Sequence, residues 1–589
     1  MKYLLSAISL FALLSGANAS YYYVAASGNN SDSGSFGHPW QTPTRVQQQG
    51  LQPGDSVAFN GPDTFTGCLT ETGGSNWFGT AGNPITLTSY GAGQATLTPN
   101  CAPSGSLGGV VNFDKADGVQ VINLHILGDA AGKVSRCISF TNSDMTVSHG
   151  SIWIQGNTFN TCHDGVDTNF GAYIFFDPSR SGYKTGFSHV TILNNDGFGL
   201  NGPMSTDDNG MTGWGCGASG AHCIQFDNVQ GNHFYNIGGK ATGIGGSEAN
   251  GILFAGANSG VALFNKLDHN GANMAKCGDQ YQIWTYGSDN VTVRHNEVDH
   301  NIAAGGCDGG AFDADGYSNN VWFEENYSHD NYGPAFTFYS AGTWGNPPNG
   351  YRWNISEHDG FGTNYAVEWQ PGSGGAGIMH NNDINTTISA YNSALLVAGG
   401  SKCPRGDSIF ANNNVVVSGL NSRMAMIELG WIGNPCSYGP TFTHNNYYRP
   451  DGARMWFRNG SLVTGLTAWQ GIAPGGDTGA LNANPGWTSF TADETCYLAY
   501  FGCPASYSTI ASAITAVGAN LAVPPYSLLT MGTHDFYNGS VGATLSIGAY
   551  NASGTISAIE TGFQLSRGSA DPNICLQLKS VEPIAFCAK

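Results

Sequence analysis

The sequence predicts an all-β chain: a right-handed, single-stranded parallel β-helix (a solenoid) with an N-terminal cap and a C-terminal cap or appendage. Three observations predict this fold class: a regularly recurring asparagine, short segments rich in β-branched and aromatic residues, and 85 glycines among 589 residues. Dense glycine supplies many turns, as a chain of short strands requires. The length also suits a solenoid, because each coil needs to contact only its neighbours.

The asparagine repeat sets the coil length. A run of strand-forming residues ends in asparagine at ten places: Asn157, Asn194, Asn232, Asn265, Asn296, Asn326, Asn354, Asn381, Asn412 and Asn445. Successive asparagines are 27 to 38 residues apart, which is room for two or three short strands and predicts one coil per interval. Asparagine suits such a turn because it tolerates left-handed backbone and because stacked amides can bond along the axis. A β-sandwich, the alternative, would show antiparallel hairpins without this sustained register.

The N-terminal residues have the features of a signal peptide, which we place at residues 1–19. Lys2 provides the positive charge, residues 4–14 form an almost unbroken apolar run, and small residues precede a cleavage site after Ala19. No later apolar stretch is long enough to span a bilayer. We therefore expect a secreted protein, either extracellular or periplasmic.

Cysteine usage fits an exported protein, and the charge restricts its partners. Fourteen scattered cysteines without metal knuckles favour disulfides, with Cys216/Cys223 and Cys496/Cys503 as candidate local pairs. The formal net charge of −20 argues against nucleic acid and, less strongly, against a polyanionic substrate. We expect a monomer that binds no nucleic acid or membrane.

The extent of the repeat predicts the organisation of the mature chain. Residues 20–114 should form the N-terminal cap and the first coils, and residues 115–460 the regular coils. Residues 461–589 should form a C-terminal cap or appendage, because the end of a solenoid needs covering.

Several segments are similar to parts of pectate-lyase-like parallel β-helix proteins. They are residues 22–24, 38–42 and 51–57 at the start, 284–291, 308–316 and 326–331 in the middle, and 535–539 and 547–550 near the end. The resemblance covers about residues 20–550. It implies the fold and a secreted carbohydrate-active protein, but this superfamily includes lyases, hydrolases, epimerases and non-catalytic binders.

One strand in each central coil predicts a polysaccharide-binding groove. Aligning these strands places Ile283, Phe312, Phe336 and Val367 inside the solenoid. The outward residues are then Trp284, Tyr286, Asp313, Asp315, Thr337, Tyr339, Glu368 and Gln370. Aromatic rings offer sugars a flat apolar face, and carboxylates and amides bond their hydroxyls. We assign substrate binding to Trp284, Tyr286, Tyr339, Gln370 and the nearby Lys276.

Paired carboxylates in this row predict a glycoside hydrolase. Asp313 and Asp315 should lie about 6.5–7 Å apart at Cα, and Asp313 and Glu368 about 9.6 Å apart over two coils. Inverting glycosidases separate their acid and base by about 6.5–9.5 Å. We assign Asp313 and Asp315 as the acid/base pair, with Asp308 and Glu368 as helpers or substitutes, because like charges this close raise one pKa. This chemistry requires no cofactor.

Other interpretations stay open at this point. Asp308, Asp313 and Asp315 are hard oxygen ligands suited to calcium. With calcium there, Lys276 could act as the base of a polysaccharide lyase that cleaves a uronate polymer by β-elimination. A third interpretation is a non-catalytic surface protein that only grips glycan. The adjacent His329 and Asp330 are expected to be turn residues that face different ways.

Overall fold

The computed structural model describes most of the chain up to residue 486 and short segments beyond it. The described residues are 19–70, 77–100, 109–128, 136–144, 147–162, 172–177, 186–199, 209–213, 223–239, 249–272, 280–303, 308–339, 348–363, 365–370, 376–387, 393–397, 403–404, 407–418, 425–429, 435–436, 440–486, 518–519, 521, 531–536, 540–541, 545–549, 576–577 and 585–586. Residues 1–18, which hold almost all of the predicted signal peptide, therefore lie outside the described part of the chain.

Three long parallel sheets wind around a common core, and the chain visits them in the order sheet 1, sheet 2, sheet 3 in each coil. Sheet 1 consists of β1 Tyr21–Val24, β2 Ser56–Gly61, β5 Ile85–Gly91, β8 Asp117–Ile122, β11 His149–Gln155, β14 Phe187–Leu193, β17 Ile224–Gln230, β20 Ala257–Leu263, β23 Val291–Arg294, β26 Trp322–Glu324, β29 Asn349–Arg352, β32 Gly377–His380, β35 Ile409–Ala411 and β38 Thr441–Thr443. Sheet 2 consists of β3 Thr64–Thr66, β6 Ala95–Thr98, β9 Leu124–Leu127, β12 Thr158–Asn160, β15 Asp196–Phe198, β18 His233–Tyr235, β21 Lys266–Asp268, β24 Glu297–Asp299, β27 Tyr327–His329, β30 Ile355–Glu357, β33 Asp383–Thr387, β36 Asn414–Ser418 and β39 Asn446–Tyr448.

Sheet 3 carries the outward row predicted from the sequence. Its strands are β4 Leu69–Thr70, β7 Gly109–Asp114, β10 Arg136–Thr141, β13 Ala172–Asp177, β16 Asn209–Gly213, β19 Asn250–Ala255, β22 Tyr281–Tyr286, β25 Gly310–Ala314, β28 Phe336–Phe338, β31 Val367–Trp369, β34 Leu395–Val397, β37 Ala425–Leu429, β40 Trp456–Asn459 and β41 Ser461–Thr464. Only β41 runs antiparallel within the three sheets. A separate short hairpin pairs β42 Leu576–Gln577 with β43 Ala585–Phe586. The α-helices among the described residues are α1 Pro43–Gln47 and α2 Leu466–Gln470. The predicted parallel β-helix is confirmed.

Two adjacent residues share the roles predicted for the recurring asparagine. The buried amide ladder between sheets 1 and 2 consists of Asn157, Asn195, Asn232, Asn265, Asn296, Asn326, Asn354, Asn382, Asn413 and Asn445, and it ends on Asp477. The left-handed backbone belongs to the residue before each ladder position, as at His295, where φ is 55°. The prediction was therefore wrong by one residue at Asn194, Asn381 and Asn412, which have positive φ and precede the ladder amides.

The inward register of sheet 3 matches the prediction. Ile283, Phe312, Phe336 and Val367 are fully buried and belong to one core cluster. That cluster extends from Val24 in β1 to Ala473 beyond α2, so successive coils share a continuous core. Their stacked apolar side chains provide the main stabilisation, because burial of apolar surface scales with the area removed from water.

The C-terminal region closes the last coil and then packs along the side of the solenoid. In α2, Trp469 is fully buried against the core, and its indole N–H donates to Asp477 at 2.9 Å. Further along the chain, Ala519 and Asn412 exchange two hydrogen bonds, and Trp353 donates to the Met531 carbonyl at 2.8 Å. The described residues of 518–549 thus lie against the outer face of sheet 1.

Two disulfides join neighbouring coils. Cys137 pairs with Cys162, and Cys403 pairs with Cys436, with Cα–Cα distances of 5.4 and 5.5 Å. Cys223 is also disulfide-bonded, whereas Cys216, Cys496 and Cys503 of the two predicted local pairs lie outside the described residues. Among the described elements, no helix has the length and hydropathy needed to cross a bilayer.

Candidate functional site

The predicted outward row exists and is in register. Trp284 pairs with Asp313, Asp313 with Thr337, and Thr337 with Glu368, on four successive strands of sheet 3. Successive strands of a sheet are about 4.8 Å apart, so Asp313 and Glu368 are about 9.6 Å apart at the backbone. The four residues form one line along the solenoid axis.

Sheet 3 contains a repeated irregularity that brings two more side chains to this face. In several of the described coils, two consecutive residues point inward, as shown by the pairs Ala311 and Phe312, and Ala366 and Val367, in the core cluster. The residue before each such pair therefore faces outward, which applies to Tyr281 and Tyr365. Strict alternation along the strand would have put Tyr281 inside. The recurring alanine before the inward residue was the sequence signal for this irregularity.

The row is enclosed rather than an open groove. Trp284, Asp313 and Glu368 are only 3–4% exposed, and Asp315 is 5% exposed. Tyr286, Asp308 and Gln370 are half-buried, and Tyr339 is 37% exposed. The carboxylates thus sit at the bottom of the site, where low polarity strengthens electrostatic effects, while the predicted substrate-binding residues lie nearer the surface.

Glu368 has the most perturbed environment in the row. The pKa of its carboxyl group is raised to about 7, mainly by burial and to a smaller extent by the charge of Asp308, against hydrogen bonds from Gln370 and Tyr365 that lower it. The Gln370 amide donates to Glu368 Oε1 at 2.8 Å. A carboxyl group with a pKa of about 7 is substantially protonated at neutral pH, as a general acid must be.

The hydroxyl of Tyr281 is influenced by the charges of three carboxylates. Burial raises the pKa of its hydroxyl well above the usual range, and the charges of Asp308, Glu368 and Asp313 act in the same direction. The Thr337 hydroxyl donates to the Tyr281 oxygen at 3.1 Å. Tyr281 therefore stays a neutral phenol on the same face as these carboxylates.

Two residues assigned from the sequence are less central or lie outside the described part. One carboxylate oxygen of Asp315 accepts the N–H of Gly316 in the turn that follows β25. Asp315 thus helps to fix this turn. The carboxyl group in this row with a pKa raised to about 7, as suits a general acid, is that of Glu368. Lys276, the expected base of a lyase, lies in residues 273–279, which the structure does not describe.

The three aspartates proposed as a calcium site do not converge on one point. Within the described residues, triads of His, Cys, Asp or Glu ligand atoms within 4.8 Å of one another occur only on sheet 2 and the turns that follow its strands. Asp308, Asp313 and Asp315 form no such triad, although calcium needs about six to eight oxygen ligands around it. A calcium ion on these three residues therefore stays a prediction.

A second charged cluster, on the outer face of sheet 2, was not predicted. The Lys266 ammonium lies 3.1 Å from Glu297 and 3.6 Å from Asp299. His329 Nε2 lies 3.4 and 3.9 Å from the same two carboxylate oxygens. Glu297, Asp299 and His329 form one of the triads, but Lys266 already supplies a cation to both carboxylates.

His329 is also bonded to its sequence neighbour. Its Nδ1 lies 3.0 Å from Asp330 Oδ2, so the expectation that these two residues face different ways was wrong. Asp330 has positive φ, which turns its side chain back toward His329. Burial lowers the pKa of His329, but hydrogen bonds to Asp330 and Glu297 outweigh it and raise the pKa to about 10. The cluster is therefore a buried ion-pair network.

The three parallel sheets and the internal asparagine ladder identify the fold of the chain. The chain has a parallel β-helix fold. No family model matches the sequence, and no curated protein matches it. The resemblance inferred from the sequence is thus confirmed at the level of the fold.

Solved structures with a similar fold have low sequence identity. A lacto-N-biosidase of glycoside hydrolase family 136 from Eubacterium ramulus is 16% identical with a TM-score of 0.46, and the match covers 64% of this chain and 65% of that one, slightly under two thirds of its length. The protein XylC, solved with xylose, is 10% identical with a TM-score of 0.44, over 90% of this chain and 98% of that one. The pectate lyase Pel9A is 14% identical with a TM-score of 0.34, over 64% and 77%. These likenesses concern the fold alone.

Proposed function

We propose that the protein is a secreted glycoside hydrolase that cleaves a polysaccharide in the site on sheet 3. The observation that carries the proposal is the buried Glu368, whose pKa is raised to about 7 in a row that also contains Asp313. A protonated carboxyl group and an ionised one on the same face are the two parts that glycoside hydrolysis needs.

Glu368 is the general acid in this proposal, and Asp313 is the general base. Glu368 protonates the oxygen of the leaving sugar while Asp313 takes a proton from the attacking water. Their backbone separation of about 9.6 Å agrees with the wider spacing of inverting enzymes, in which a water fits between substrate and base. Burial is the main reason that Glu368 stays protonated, and the negative charge of Asp308 contributes because it disfavours a second one nearby.

The remaining side chains of the row suit a neutral sugar. Tyr286 and Tyr339, which lie nearer the surface, offer aromatic rings to a sugar, whereas the Trp284 ring is buried against Leu253 and Tyr281. The four strands β22, β25, β28 and β31 contain no lysine or arginine. Within these four strands, no cation would balance the negative charge that a uronate brings next to Asp308, Asp313 and Glu368. We therefore propose a neutral polysaccharide as the substrate.

A polysaccharide panel tests the hydrolase against the calcium-assisted lyase and the non-catalytic binder. The full chain is incubated with neutral and uronate polymers, with and without a chelator, and both reducing ends and ultraviolet absorbance are measured. A hydrolase releases reducing ends without absorbance, and the chelator changes nothing. Absorbing products that disappear with the chelator would establish a lyase, and no products at all would favour a binder. Either result would refute the proposal.

A further inference from the structure

Four aromatic side chains lie together at the N-terminal end of sheet 1, far along the chain from the carboxylates. They are Tyr21 and Tyr23 on β1, Phe36 in the following turn, and Tyr90 on β5. Phe36 is 69% exposed and Tyr21 is 53% exposed, while Tyr23 and Tyr90 are half-buried. An exposed phenylalanine within such a cluster is uncommon, because large apolar groups normally gain by burial.

Tyr23 holds the cluster together. Its ring packs edge-to-face on Phe36 at 5.2 Å and on Tyr90 at 5.1 Å between centroids, and it lies tilted against Tyr21 at 5.2 Å. In edge-to-face packing, a ring contacts its neighbour through its edge or through one face only. Tyr21, Phe36 and Tyr90 can therefore each keep a ring face free while they pack on Tyr23. The four rings therefore form a small aromatic platform with a fixed shape.

The turn that carries Phe36 is anchored at both ends. The Tyr23 N–H donates to the Gly34 carbonyl at 2.7 Å, and the Trp40 N–H donates to the Tyr23 carbonyl at 2.9 Å. Gly34 has a φ of 78°, and a Cβ there would lie 2.6 Å from the Trp40 ring. Phe36 is thus presented on an ordered turn, and a ligand would bind it without a large ordering cost.

Polar groups border the rings. Asp63 Oδ2 accepts the Ala26 N–H at 2.9 Å and the Asn60 amide at 3.0 Å. Burial and, next, the charge of Asp63 raise the pKa of the Tyr90 hydroxyl, which places that carboxylate near the ring. Flat rings with carboxylate, amide and phenol groups at their rim match the alternating apolar faces and hydroxyl edges of sugars.

We propose that this aromatic platform is a second polysaccharide-binding surface, separate from the site on sheet 3. Its occupant is one or two sugar rings of a neutral polysaccharide, held against Phe36 and Tyr21. A second copy of the chain fits less well, because an aromatic side chain has about 150–250 Å² to bury and the exposed parts of four rings total roughly 400 Å². Stable interfaces bury about 800 Å² per partner. The edge of β1 is also covered by the turn of residues 33–40, which blocks strand pairing between copies.

Affinity gel electrophoresis of the full chain tests this surface. The gels contain mixed-linkage β-glucan, arabinoxylan or galactomannan, and the variants are the double substitution Phe36→Ala with Tyr21→Ala and the control Trp153→Ala. Trp153 is an exposed aromatic residue on β11 of the same sheet, outside the platform. We expect retardation in at least one gel, a loss of affinity of about tenfold or more in the double variant, and no change in the control.

The outcome does not depend on catalysis. The Glu368→Gln variant, made inactive by the proposed mechanism, should be retarded like the parent chain, and circular dichroism and thermal unfolding show whether each variant is folded. Equal retardation of the folded double variant would overturn the proposal, as would no retardation in any gel. A parent dimer in sedimentation that the double variant converts to a monomer would overturn it too, because a second copy would then occupy the platform.

Discussion

Asp313 and Glu368 face the same side of sheet 3 in the same row, with only Thr337 between them. The fold itself fixes this relationship, because each residue is held by a parallel strand whose neighbours are in register. A mutation elsewhere on the surface therefore has little effect on their separation. Both side chains are buried, and burial is the main cause that raises the pKa of Glu368 to about 7.

Replacing the proposed general acid should remove most of the activity. We expect Glu368→Gln to lower kcat by about 10²–10⁴-fold, the range that general acid–base catalysis contributes. The measurement is the initial rate of reducing-end release from the polysaccharide that the panel identifies. Glu428→Gln is the matched control, because Glu428 lies in the same row two strands further on and pairs with Arg458. A similar loss in both variants would mean that any carboxylate in the row has this effect.

Substitutions of two neighbours of Glu368 should shift the pH profile of the activity in opposite directions. A general acid must be protonated, so kcat/KM should fall as the pH rises through about 7, the pKa of Glu368. Asp308→Asn removes a charge that raises this pKa, so the alkaline limb should shift to lower pH. Gln370→Met removes a hydrogen bond that lowers it, so the limb should shift to higher pH. Unchanged limbs would show that another group titrates.

The asparagine ladder should carry a large share of local stability. Asn296 is fully buried, and its amide donates to Ala262, Arg294 and Asn326 at 3.0 Å each. Asn296→Ala removes these bonds and leaves buried partners unsatisfied, which should cost about 2–4 kcal/mol in urea unfolding. Asn258→Ala, at an exposed position, should change the free energy by less than about 0.5 kcal/mol. Equal effects would rule out a special role for the ladder.

The network on sheet 2 should make stability fall at alkaline pH. His329 has an ordinary pKa of 6.5 and a folded-state pKa of about 10. The folded chain thus binds more protons than the unfolded chain between these values. The stabilisation is complete below pH 6.5 and is lost as the pH rises through about 10.

Thermal unfolding at a series of pH values measures this effect. The decline in Tm between pH 6.5 and 10 should be shallower in His329→Gln than in the parent. His189→Gln is a suitable control, because the His189 side chain is 60% exposed. An equally steep decline in His329→Gln and the parent would show that His329 is not the group responsible.

The sequence predicted the outward row because the cost of burying carboxylates fixes the register of a strand. Asp313 and Asp315 could not point into an apolar core, and this placed Phe312 inside and Trp284 and Glu368 outside. Tyr281 was missed because the doubled inward residue breaks the period of two. At the ladder, the dipeptide Asn194-Asn195 offered two asparagines, and sequence pattern alone did not tell the left-handed residue from the ladder amide.

Contacts between coils were beyond sequence reasoning of this kind. Lys266 and Glu297 are 31 residues apart, yet parallel pairing places them side by side on sheet 2. The raised pKa of Glu368 also depends on neighbouring coils, since burial is its main cause and the charge of Asp308 of an earlier coil adds to it. To predict such contacts, one needs the register of every strand and the lengths of the turns between the strands.

The protonation state of Glu368 in the free protein tests the central claim most directly. A ¹³C NMR titration of the carboxyl groups can follow it, with the Glu368 signal identified by its absence in Glu368→Gln. We predict a titration midpoint of about 7. A midpoint near the ordinary glutamate value of 4.5 would mean that Glu368 is ionised at neutral pH and is not the general acid.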